Sequence, residues 1–394
     1  MLSRRLPAEH APNAWAAALA ARRRAGARLL DLTDANPTRA GLGPDATTLG
    51  LLAAPEGARY EPDPRGSAPA RAAVAGYYAA RGARIDPGHV VLTSGTSEGY
   101  AHLFRLLANP GETVLVPTPS YPLFEPLAAL ESVRLAPYRL AYDGAWHLDR
   151  ASFDGALEGA VGTTRAVIVV EPHHPTGTWL SDAERDLVEQ RCAHHGLAIV
   201  SDEVFGDFGW GAPGAPPAAR PLPGFAGRDT VPTFALSGLS KVCGLPQLKL
   251  SWIAVSGPVA ARQQALAGLE WIADLFLSVS TPVQLALPRL LETRHRFQAL
   301  VRERLAVNLE QLEELARERP EVSRLAAAGG WVAILRLPAR ASGEAWALRL
   351  LERDVVVHPG HFYDLEGGAH VVVSLIVEPR VFGEGIARLA ACLA

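Results

Sequence analysis

Lysine is almost absent from this chain: Lys241 and Lys249 are the only two, and the rest of its 38 basic side chains are arginine. Arginine keeps its proton at working pH and cannot attack a carbonyl carbon, so any amine chemistry falls to two positions eight residues apart. Cysteine is nearly as scarce. Cys192, Cys243 and Cys392 are odd in number and far apart, which excludes a disulfide framework and a cysteine zinc site and predicts a reduced, cytoplasmic protein. No apolar run approaches the roughly 20 residues that cross a bilayer, so no membrane partner is expected. Charge of one sign is lacking too: the formal net charge is -3, which gives no bulk attraction to nucleic acid. Metal ligation is not expected either. Glu171 with the adjacent pairs His173-His174 and His194-His195 lacks ligand spacing, and neighbouring side chains diverge.

What remains is a balanced globular composition of 394 residues, 48% hydrophobic and 20% charged, enough for two domains. The Ala- and Arg-rich start, with Trp15, Ala18 and Leu19 on one face, reads as a structural arm or first helix. Glu9 and the want of a Ser-rich run speak against a transit peptide. Apolar β-branched runs at His89–Thr93, Thr113–Pro117, Ala166–Val170, Ala198–Ser201, Thr233–Ser237 and Ser251–Val255 predict buried strands. Helix-period segments such as Glu98–Leu107 and Asp182–His194 lie between them. Strands alternating with helices predict an α/β, doubly wound and mostly parallel sheet. Between Gly206 and Asp229 a Gly/Pro/Ala-rich stretch predicts a long surface loop. Beyond about residue 280 the pattern changes to a long charged helix near Leu290–Arg319. Shorter strands follow around Gly330–Leu337 and His370–Val377, then a terminal helix. The expected division is 1–45 as an N-terminal arm and part of a small domain, 46–280 as a large domain, and 281–394 as a small C-terminal domain.

Three stretches carry chemistry. Ser94-Gly95-Thr96-Ser97 follows a strand and opens a helix, which can cradle an anion on backbone N–H groups, although Ser or Thr there is first of all an N-cap. Asp202 ends an apolar strand, at the sheet edge where open α/β folds bind ligands. Ser237-Gly238-Leu239-Ser240-Lys241 turns the chain on small residues, with the lysine in the turn and Lys249 just before the next strand. One amine to form an imine and one cation to hold a phosphate is a workable division of labour.

Taken in order, Tyr60-x-Pro-x-x-x-Gly, Ser94-Gly95-Thr96, Pro119-x-Tyr121-Pro122, His174-Pro175-Thr176-Gly177, Asp202-Glu203 and Ser-x-x-Ser-Lys241 with Lys249 resemble the class I/II aminotransferases. These are the aspartate-aminotransferase-like enzymes of pyridoxal-phosphate (PLP) fold type I. The likeness runs from about residue 30 to 380. It implies a large domain with a seven-stranded sheet, a smaller α+β domain, and a homodimer with shared active sites acting on small amino and keto substrates. It further implies that Lys241 holds pyridoxal 5'-phosphate as a Schiff base and then moves the substrate proton. Asp202 would pair with the ring nitrogen and Tyr121 would stack on the ring. Gly95, Thr96, Ser240 and Lys249 would hold the phosphate, with Tyr60 reaching in from the second subunit.

Three positions depart from the family pattern. His174 stands where asparagine usually contacts the cofactor's phenolic oxygen, and Phe205 where a tyrosine usually does. His174 is therefore expected to take over as donor, neutral or protonated. Val372 stands where an arginine usually clamps the substrate carboxylate. Asn36 and Arg39, in the Asn36-Pro37-Thr38-Arg39 loop, are the substrate-side candidates in its place, with a looser polar cluster at His358, His361 and Tyr363. A PLP-dependent aminotransferase is the expected activity. A lyase, decarboxylase or oxidase on the same cofactor is the first alternative, and a non-catalytic PLP-binding regulator the second.

Overall fold

The computed structural model describes residues 3, 5, 6, 12–160, 162–210 and 224–393. The loop expected between Gly206 and Asp229 thus lies, for residues 211–223, outside the described residues. Across the main sheet the order is Val90–Thr93, Ser251–Ser256, Thr233–Gly238, Ala198–Asp202, Thr164–Val170, Thr113–Thr118, Arg134–Tyr142 and the short Trp146–Leu148. Five consecutive members, from Thr233–Gly238 to Arg134–Tyr142, run parallel, and Ser251–Ser256 runs against its neighbours. The sheet therefore holds seven longer strands, with Trp146–Leu148 added antiparallel to the edge. Residues of the central strands are buried without alternation. That is the burial expected where helices cover both faces of a parallel sheet.

The six strands read from hydrophobic runs are all present within two residues of the expected bounds. Arg134–Tyr142 was not expected, because Pro137 breaks its apolar run and proline is confined to strands near a sheet edge. That is where this one lies. The long helix begins at Thr281 rather than Leu290 and continues through Pro288 to Glu318. Ser280 followed by Pro282 marks its start, since proline fits a first helical turn. Four short strands, Ser323–Arg324, Val332–Leu337, His358–Pro359 and Ala369–Ser374, form a second, antiparallel sheet.

Leu30–Asp31 pairs in parallel with Val355–Val356, and the helix Ala14–Arg24 packs on Gly343–Glu352. Trp15, Leu19, Leu30 and Leu32 accordingly share one apolar core with Trp346, Val355, Val371 and Phe382. A clasp joins the motif loop of the main sheet to the loop between Ser323–Arg324 and Val332–Leu337 of the second sheet. Gly177 has φ +67, and a Cβ there would stand 2.5 Å from the Gly329 carbonyl oxygen and 2.6 Å from Ala327 Cβ. In return Ala328 N donates to the Gly177 carbonyl at 2.9 Å.

Both the left-handed backbone and the crowding forbid a side chain at 177. Gly177→Ala is expected to lower unfolding free energy by about 1–3 kcal/mol, read from the midpoint of denaturant unfolding; an unmoved midpoint would show that the clasp is dispensable.

Candidate active site

Because the parallel strands share a direction, their C-terminal ends deliver side chains to one sheet edge. Thr93, Thr118, Val170, Asp202 and Gly238 end there, and Ser251 begins there opposite Thr93 and Gly238. The chain then turns sharply at Leu239–Val242. Gly238 is required by close approach rather than by its extended backbone, because a Cβ would lie 2.2 Å from Ser251 Oγ. Gly244, at φ +68, meets the Phe297 ring at 2.3 Å in the same way. Between these two glycines sits Lys241.

Lys241 Nζ lies 5.1 Å from the Trp331 ring centroid and 5.5 Å from that of Phe205. Loss of water pushes its pKa down to about 8, against the pull of the Asp202 carboxylate. Burial in turn raises Asp202 to about 6, opposed by the hydrogen bonds from Val204 N, 3.1 Å to Oδ1, and Tyr100 Oη, 2.9 Å to Oδ2. Glu203, the adjacent carboxylate, faces away. Its Oε1 accepts from Phe225 N and Ala226 N, and Oε2 lies 3.7 Å from the buried Arg81 guanidinium. Of the two acids at the strand end, only Asp202 addresses the lysine, as alternation along a strand requires.

Gly95 begins the helix Thr96–Leu107, and no side chain caps it. Ser94 instead offers its N–H to Glu98 Oε2 at 2.6 Å. The Lys249 ammonium lies 3.2 Å from where a Cβ at Gly95 would project. Capping, the ordinary reason for Ser and Thr at such a place, is thus not their use here. An open helix start beside an ammonium is an anion seat. Lys249 itself has φ +50, and Ser240 follows Gly238 on the turn at the same edge.

His174 joins the second wall. Its ring centroid is 5.3 Å from Tyr121, 5.5 Å from Tyr363, and 5.8 Å from Phe205, with which it stacks at 19°. Burial, then the Lys241 and His358 charges, hold its pKa down near 3. Of the two protonation states expected for His174, these surroundings favour the neutral one. His358 Nδ1 lies 2.9 Å from Tyr363 Oη, and Ser120 N donates to the Tyr363 carbonyl at 2.8 Å.

Three sequence candidates make their contacts with other groups. Tyr60 is 78% exposed, and its cleft neighbours are residues such as Asp63, Leu92, His102 and Leu277, none from the Lys241 group. Asn36 Oδ1 accepts from Thr38 N at 3.0 Å and from Thr38 Oγ1 at 2.8 Å, closing its own turn. Arg39 pairs with Asp34 at 3.0 Å within the same loop. Sequence reasoning overlooked Trp331 and Tyr100. The Gly329-Gly330 pair before a strand and the helical spacing of Thr96 to Tyr100 were the available signals. Among the described residues no cluster of His, Cys, Asp and Glu could hold a metal ion.

A family model, Aminotransferase class I and II, matches residues 38–373. S-alkyl-thiohydroximate lyase SUR1 of Arabidopsis thaliana is 29% identical over 61% of this chain, and arginine–pyruvate transaminase AruH of Pseudomonas aeruginosa is 26% identical over 79%. The chain spans about half the length of the first, 51%, and 77% of the second. Alanine aminotransferase from Pyrococcus furiosus superposes with a TM-score of 0.86 at 20% identity, covering 100% of this chain and 99% of that one.

Lys249→Ala should weaken the binding of inorganic phosphate to the cofactor-free protein about tenfold or more, as removal of a charged hydrogen-bond donor does. Calorimetric titration measures it, and an unchanged affinity would place the anion seat elsewhere.

Proposed function

This chain belongs to the class I and II aminotransferase family, and on that premise we propose that it moves an amino group between an amino donor and a keto or aldehyde acceptor, using pyridoxal 5'-phosphate. One observation carries the reading. A desolvated amine, Lys241, stands beside a carboxylate, Asp202, with a separate ammonium, Lys249, over an uncapped helix start. The donor set fits the cofactor: a free amine for its aldehyde, an acid for its ring nitrogen, and an anion seat for its phosphate. When bound, that group supplies an aldehyde carbon that amines can join and a ring that takes up electrons from the substrate.

The residues then divide the labour. Lys241 would make the covalent link and afterwards act as the base that carries the substrate proton. Its depressed pKa leaves a useful share of free amine near neutrality. Asp202 would hold a proton on the ring nitrogen, and Tyr100 and Val204 N keep its carboxylate aimed. Gly95, Thr96, Ser240 and Lys249 would bind the phosphate, and Tyr121 would cover a ring face. His174, whose neutral form burial favours, would be the hydrogen-bond donor to the phenolic oxygen in place of the family's asparagine. Phe205 and Trp331 exclude water around Lys241.

A homodimer is part of the same proposal. Trp271, Leu275 and Phe276 are 69%, 65% and 49% exposed beside one another, an apolar patch of the kind that marks an interface. Tyr60, equally exposed, would serve the partner's site. Residues 1–45, 46–280 and 281–394 are proposed as arm, large domain and small domain, which the pairing of Leu30–Asp31 with Val355–Val356 supports by tying the arm to the small domain. A cytoplasmic location accords with the three unpaired cysteines. No helix among the described residues is long and apolar enough to cross a membrane.

Cofactor-free protein should take up PLP at a rate that climbs about tenfold per pH unit below about 8 and then levels off, because only the unprotonated amine attacks. Lys241→Ala should never form the borohydride-trapped link. A rate still climbing at pH 9.5 would mean an ordinary, hydrated lysine. Ammonia released from an amino donor without any acceptor would mark elimination instead of transfer.

A further inference from the structure

Among the described residues of one subunit, the polar groups facing Lys241 include no cation for a substrate carboxylate. Among the described residues, the charges and titratable groups that act on Lys241, His174, Tyr121, Tyr363 and His358 are Asp202, Asp31 and one another; no guanidinium acts on any of them. Asp202 is already an anion in this space, and Lys241 is its counter-charge. Val372, on the strand beside His358, is buried in an apolar cluster with Leu325, Ile334 and Tyr363. Arg39, the nearest sequence candidate, is held by Asp34. Lys249, the other lysine, is committed to the anion seat at Gly95.

What does face the amine is aromatic: Phe205 and Trp331 lie over it, and His174, stacked on Phe205, carries the wall on to Tyr121 and Tyr363. The polar end of that wall is the hydrogen-bonded pair His358 and Tyr363, and burial keeps both neutral, lowering the first and raising the second. A carboxylate placed there would lose water and gain no ion pair, which is costly. An apolar or aromatic body would gain contact with those rings.

We propose that the amino donor is an amine with an apolar or aromatic body and no carboxylate on the carbon bearing its amino group, so that the carbonyl product is an aldehyde or ketone rather than a 2-keto acid. This rests on the transaminase reading and narrows it. The amino group leaves the donor carbon for the cofactor, water supplies the carbonyl oxygen, and an acceptor later takes the nitrogen, so atoms and electrons balance without an outside oxidant.

Two measurements on the holoenzyme test it. Single-turnover loss of the bound-cofactor absorbance is compared for 2-phenylethylamine and L-phenylalanine, which differ only in the carboxylate. The amine should react with the higher efficiency, on the order of 100-fold. By calorimetry, the unreactive 3-phenylpropan-1-ol should bind at least about tenfold more tightly than 3-phenylpropanoate. A phenylalanine preference together with tighter binding of the acid would overturn the proposal. If Arg39→Ala then abolished that preference, Arg39 would be the missing clamp. An absorbance that no donor alters, with the alcohol still the tighter ligand, would sink the transaminase reading and leave the anion-free pocket standing. With the acid the tighter ligand, both would fall.

Discussion

The withdrawal of one ammonium from water sets the terms for everything around it. A lysine under Phe205 and Trp331 has lost hydration that only a charge could replace, and Asp202 replaces it in part. The two pKa values are drawn towards each other, Lys241 down to about 8 and Asp202 up to about 6. Neither group is indifferent to its proton near neutrality. That state requires a rigid frame, since water entering beside either group would restore both to ordinary behaviour. Two glycines crowded against Ser251 and Phe297 provide the frame on the lysine side, and Tyr100 with Val204 N provide it on the acid side.

Much of this was legible in the residues, and the manner of the exceptions is instructive. Central strands announced themselves as unbroken apolar runs, because burial on both faces leaves no polar register to confuse the reading. Arg134–Tyr142 did not, since a nearly edge position tolerates Pro137 and half-exposed side chains that imitate a loop. The scarcity of lysine pointed at positions 241 and 249 before any fold was known. Order along the chain then tied them to Gly95 and Asp202.

Other features depend on contacts between segments far apart in sequence, and no local pattern encodes them. Trp331 faces Lys241 from 90 residues away. Tyr100 aims Asp202 from a helix that also starts the anion seat. Arg39 looked free in a polar turn, yet Asp34, five residues earlier, occupies it. The lowered pKa of His174 likewise follows from its surroundings, Phe205 on one face and the Lys241 charge nearby, rather than from the residue itself.

The clasp at Gly177 has a mechanical meaning as well. His174, three residues before it, stands in the wall around Lys241, while the Gly177 carbonyl is tethered to Ala328, in the loop between two strands of the second sheet. Ser120, next to Tyr121, is fastened to Tyr363 in the same fashion. Two of the rings enclosing the amine are therefore wired to the smaller layer although they are carried by the larger one. A shift of one layer against the other would carry these two rings with it.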